Sequence, residues 1–84
     1  MKLVTNVNHF TLSQSVDVVD DNGNSVFSTA STIGDLENVI ESLCSQYNIE
    51  DVYISGAQNF IQKIGNDLSR KTTFNKNNIK IHMI

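Results

Sequence analysis

The 84-residue sequence contains no proline and no tryptophan, one cysteine and four glycines. A lone cysteine forms no internal disulfide, and no local run of Cys and His has the spacing of a zinc site. Cys44 falls on an apolar helical stripe and is expected as a buried structural thiol rather than a nucleophile. The scattered glycines make neither a GxGxxG fingerprint nor a P-loop, and no serine sits in a nucleophile elbow. No apolar run approaches the roughly 20 residues of a membrane span. The opening Met1-Lys2-Leu3-Val4-Thr5-Asn6 lacks the apolar core of a secretory signal, so a cytoplasmic location with no membrane partner is expected. No cofactor is implied. Asn, Ser, Ile and Val are abundant, a composition like that of AT-rich bacterial or phage genomes.

What is present is periodicity. Leu36, Val39, Ile40, Leu43, Cys44 and Tyr47 recur at helical spacing, and the helix they predict fades near Tyr47-Asn48. Ser31 or Thr32 is placed to cap it, with Asp35 favoured in its first turn by the helix dipole. Asp51 to Gly56 is too short and apolar for a helix and reads as a buried strand. Ala57, Phe60, Ile61, Ile64 and Leu68 then resume the helical period to about Ser69. Gly65 inside that second helix marks either a close-packing point or an early end.

The two ends of the chain must supply the rest of the sheet. Lys2 to Val7 reads as a first strand and Asn8-His9 as a turn. From Phe10 to Val18 the pattern alternates, with Phe10, Leu12, Val16 and Val18 on one face and Gln14 interrupting it. Asp20-Asp21-Asn22-Gly23-Asn24 is a hairpin signal, returning through Ser25 to Ala30. Residues 70–78 read as a polar loop pinned by Phe74. Ile79, Ile81 and Met83 alternate with Lys80 and His82 in a last strand. The order is βββαβαβ in one α/β domain spanning residues 1–84, with a mixed sheet: a three-stranded antiparallel meander plus two parallel strands and two helices. A ferredoxin-like or other α+β sandwich pairs the same elements differently and stays open.

A meander followed by two crossovers resembles the ribonuclease H-like and actin-like superfamily. Lys2 to Ser28 is similar to that group's opening: a short strand, a tight turn, a longer strand and an Asp-Asn-Gly hairpin. The resemblance implies nuclease relatives that hold divalent metal with carboxylates, one of them on the first strand. Asn6 stands where that acid is expected, and the tip of the central strand is Ile54-Ser55-Gly56, without a carboxylate. Gly56 alone does not make the glycine-rich turns of the actin-like ATPases. The expectation is therefore a catalytically degenerate domain, not an enzyme, acting as a protein-interaction module or small accessory protein.

Charge is unevenly spread along the chain. Residues 1–51 carry eight acids against Lys2, while residues 52–84 carry five bases against Asp67. Lys63, Arg70, Lys71, Lys76 and Lys80 form the candidate contact set for a protein partner, a second copy or, alternatively, nucleic acid. Glu37 and Glu41 are expected on a solvated helix face. Asp17, Asp20 and Asp21 are expected to support their hairpin, since their spacing matches no calcium loop. His9 and His82 are expected in solvent, neither with a local acid to pair with.

Overall fold

Apolar side chains repeat every second residue near the two ends of the chain and every third or fourth in its middle, which gives strands outside and helices within. The computed structural model describes residues 1–8, 10 and 12–84. In order it contains β1 (Lys2–Val7), β2 (Gln14–Val19), β3 (Ser25–Ser31), α1 (Leu36–Gln46), β4 (Asp51–Gly56), α2 (Gln58–Ser69), α3 (Thr72–Lys76) and β5 (Lys80–Met83). The five strands form one sheet in the order β3-β2-β1-β4-β5. β1 pairs antiparallel with β2, and β2 with β3, whereas β4 lies parallel to both β1 and β5. The meander-plus-crossovers pairing is thus the one realised, in a mixed α/β domain.

One face of the sheet is dry. Leu3, Thr5 and Val7 of β1, Gln14, Val16 and Val18 of β2, and Val52 and Ile54 of β4 are all buried on it. Against them pack Leu36, Ile40, Leu43 and Cys44 of α1, Ile61, Ile64 and Leu68 of α2, and Phe74 of α3. The three buried polar residues are satisfied: Thr5 Oγ1 donates to Ser15 O at 2.7 Å, Ser31 Oγ donates to Thr32 O at 2.9 Å, and Gln14 Nε2 donates to Asn8 O at 2.9 Å while its Oε1 accepts from Asn8 N. The opposite face carries the alternate residues, and among the described residues no helix packs over it.

Two expectations are corrected. β2 begins at Gln14, not Phe10; Phe10 and Leu12 are 86% and 91% exposed, while Gln14, read as an interruption, is a core residue that fastens the loop back to Asn8. The expected turn at Asn8-His9 includes His9, which lies outside the described residues. The polar loop at 70–78 contains α3, a one-turn helix seated on buried Phe74. Its end is built by Asn78, whose φ of +52° puts it in the left-handed region, and by the Ile79 N–H donating to Phe74 O at 3.1 Å. That six-to-one bond is the Schellman closure, and it rejoins the chain to β5. Among the described residues no helix is long and apolar enough to cross a membrane.

Candidate functional site: strand tips, open face and free edge

The two strand tips where carboxylates are expected in nucleases are neutral. Asn6 is exposed near the end of β1, and Ser55, one residue before Gly56, donates to Thr5 O at 3.5 Å. Gly56 is dictated by packing: its φ is +118°, and a Cβ there would collide with the carbonyl of Val7 on the adjacent strand. The Ala57 N–H donates to that same carbonyl at 3.0 Å, so the glycine lets β4 end flush against β1. Asp17 accepts a hydrogen bond from Ser28 Oγ, and Asp20 Oδ1 accepts the N–H groups of Asn22 and Asn24. These acids hold their hairpin, and no group of three or more metal-binding side chains occurs among the described residues.

The candidate bases are distributed over α2, the α2–α3 junction, α3 and β5, with Lys63 and Lys71 both acting on Glu37 and Arg70 acting on Asp67. Lys63 on α2 pairs with Asp67 one turn along, at 3.0 Å. Glu37 of α1 shares a hydrogen bond with Asp67, so it is not simply a solvated acid. Burial, then the Asp67 carboxyl, push Glu37 above the usual carboxylate range, while the hydrogen bonds from Lys63 and Glu37 hold Asp67 below its own. Arg70 and Lys71 cap the junction of α2 and α3, and Lys76 closes α3. Lys80 lies on β5, in register with Asp51. Cys44 is buried, as expected, and desolvation pushes its thiol up to about 12, which leaves it inert at neutral pH.

His82 does have an acid partner. Parallel pairing of β4 and β5 sets Tyr53 beside His82 and Asp51 beside Lys80, so Asp51 reaches His82 diagonally. Asp51 Oδ1 lies 2.9 Å from His82 Nε2, the Tyr53 and His82 rings stack at 4.5 Å and 13°, and Lys2 Nζ sits 5.6 Å from the Tyr53 centroid. This Lys2-Tyr53-His82 stack lies on the open face, in a cross-strand row that continues through Val4, Asp17 and Ser28. Reading the sequence alone missed it because the pairing spans 31 residues and exists only once the strand register is known.

The free edge formed by β3 is the least protected part of the sheet. All seven residues, Ser25-Val26-Phe27-Ser28-Thr29-Ala30-Ser31, are uncharged, and all but Thr29 and Ser31 are exposed. Val26 and Phe27 are 44% and 39% exposed. Natural sheets blunt such edges with lysine, proline or inward charges, none of which occurs here. A register shift at Val18/Val19 kinks only the start of the strand. Beneath β3, a groove of about 350 Å³ runs between Phe27 and Thr29 on one side and Val39 and Leu43 of α1 on the other. No protein-family model and no curated protein matches the chain.

Proposed function

We propose that this chain is a non-catalytic protein-interaction module of ribonuclease H-like layout that works in the cytoplasm and docks its partner along β3. The observation that carries this reading is the seven-residue uncharged edge of β3 with Val26 and Phe27 exposed on it. An extended segment that adds to such an edge gains main-chain hydrogen bonds, and pockets beside the strand supply specificity. The meander followed by two crossovers supports the ribonuclease H-like layout, and Asn6 and Ser55 at the strand tips support a non-catalytic role. Two-metal displacement needs converging carboxylates, and amide and hydroxyl groups do not supply their charge.

The test is chemical cross-linking in native cells and then purification of the tagged chain beside a Phe27→Lys variant, with the attached proteins, an untagged second copy included, identified by mass. A stoichiometric partner held by the wild type and lost by the variant is the expected result. Equal retention by both, or magnesium- or manganese-dependent cleavage of DNA or RNA by the pure protein, overturns the reading.

A second reading, nucleic-acid binding, draws support from the open face rather than from α2. Lys2, Tyr53, His82 and Lys80 place two rings and two cations together there, the combination that tracks single strands. Anisotropy with a labelled single strand at about 50 mM salt tests it. Binding weakened by Lys2→Ala with Tyr53→Ala favours the open face, binding weakened by Lys63→Glu with Arg70→Glu favours the helix, and no binding removes the reading.

A further inference from the structure

We infer that the occupant of the β3 edge is a second copy of this chain, with β3 running antiparallel to its twin about a two-fold axis at Ser28. This rests on the docking role proposed above and names the partner. Three features of β3 suit it to itself. It carries no charge, so bringing two copies together meets no like-charge repulsion along the strand. Its midpoint is Ser28, so pairing about that residue sets Val26 opposite the partner's Ala30 and Phe27 opposite the partner's Thr29. Small residues therefore face large ones on both sides of the axis.

The third feature is a projection and a recess in the right places. Phe27 and Thr29 lie on the helix side of the sheet, since they pair with Val18 and Val16 of the buried face. Phe27 remains 39% exposed although its ring approaches Tyr47 at 6.1 Å. The groove beside it is bounded by Thr29, Val39 and Leu43. In the antiparallel pair, each copy's Phe27 stands next to the other's Thr29, at the mouth of that groove. The contact is isologous, so one pairing places both rings at once and closes the assembly at two. Ten strands then form one continuous sheet.

A seven-residue edge plus two aromatic rings is at the small end of stable interfaces, below about 1,200 Å² of total buried surface. A dissociation constant on the order of tens of micromolar is expected, so the dimer is concentration-dependent.

Sedimentation velocity over about 5–500 µM tests the association. The wild type is expected to shift from monomer to dimer, and Phe27→Lys and Ala30→Lys each to raise the dissociation constant at least tenfold. Ala30 is an exposed position, which guards against a loss that reflects only the Phe27–Tyr47 contact. Register is tested by oxidation of Ser28→Cys and, separately, Ser25→Cys. Residue 28 lies on the axis and is expected to cross-link to its twin, whereas residue 25 lies three positions away and is not. The buried native Cys44 is not a competitor. A monomer throughout the range overturns the inference, as does a dimer indifferent to both lysine variants or one that cross-links equally at 25 and 28. If the chain is monomeric but Phe27→Lys still loses a native partner, the interaction-module reading stands and only the identity of the partner falls.

Discussion

Two glycines in this chain look alike in the sequence and do opposite work. At Gly56 a side chain would strike the backbone of Val7, and the φ of +118° disfavours any L-residue. Gly56→Ala is expected to destabilise the fold by roughly 3 kcal/mol or more, measured by denaturant unfolding. At Gly65 the first atom met is the Sδ of Met83, the far end of a flexible and half-exposed side chain. Gly65→Ala gains about 1 kcal/mol of helix propensity and displaces only that side chain, so unchanged or slightly raised stability is expected. In the sequence Gly65 read as either a close-packing point or an early helix end, and α2 runs past it to Ser69. The clash at Gly56 was not legible, because it depends on which strand lies alongside.

The linked trio of Glu37, Lys63 and Asp67 gives the residue-scale pH behaviour. Glu37 is raised above its ordinary 4.5, so its contribution is present below that pH and is lost as pH rises through its folded value. Asp67 is lowered below its ordinary 3.8, so its contribution is present above that pH and is lost as pH falls through its folded value. Glu37→Gln keeps a donor for Asp67 without the charge. It is expected to raise the melting temperature at pH 7 by about 2 °C, kept small by solvent screening, with no gain at pH 3. A variant that melts lower at pH 7 would contradict this.

At the scale of elements, α1 and α2 were written plainly in the spacing of their apolar residues, and their buried residues lie along those stripes, with Val39, Tyr47 and Phe60 half-buried at the margins. Ile40→Ala and Ile61→Ala, both fully buried, are each expected to lose about 2–4 kcal/mol in chemical denaturation. The errors fell where tertiary context overrides local pattern. Phe10 and Leu12 continue an alternating run yet project into solvent, because Gln14 turns inward and ties the loop to Asn8. α3 is too short for periodicity to detect. The detectable signal was its exit, an Asn-Asn-Ile run in which Asn78 accepts the left-handed conformation and Ile79 closes onto Phe74. Asn78→Val is expected to destabilise by about 1–2 kcal/mol, and Asn78→Gly to leave stability equal or higher.

At the scale of the molecule, the helices cover one face of the sheet and β3 forms one of its two edges. The order of elements could be read in advance, and with it the neutral strand tips at Asn6 and Ser55. The free edge could not, since nothing local distinguishes Ser25–Ser31 from a strand enclosed on both sides. The Asp51–His82 pair was hidden for the same reason: both belong to register, a property of the assembled sheet. Contacts also join the acidic and basic halves of the sequence, for Glu37 comes from one half, Lys63 and Asp67 from the other, and they meet between α1 and α2.

The central claim is that β3 is an occupied edge, and amide hydrogen exchange reads it residue by residue. Exchange is followed at about 10 µM and at about 500 µM, concentrations that straddle the expected association. Protection that rises with concentration within Ser25–Ser31, while β5 at the opposite edge is unchanged, is the predicted result. Identical exchange of β3 at both concentrations, or protection that grows at β5 instead, would contradict it.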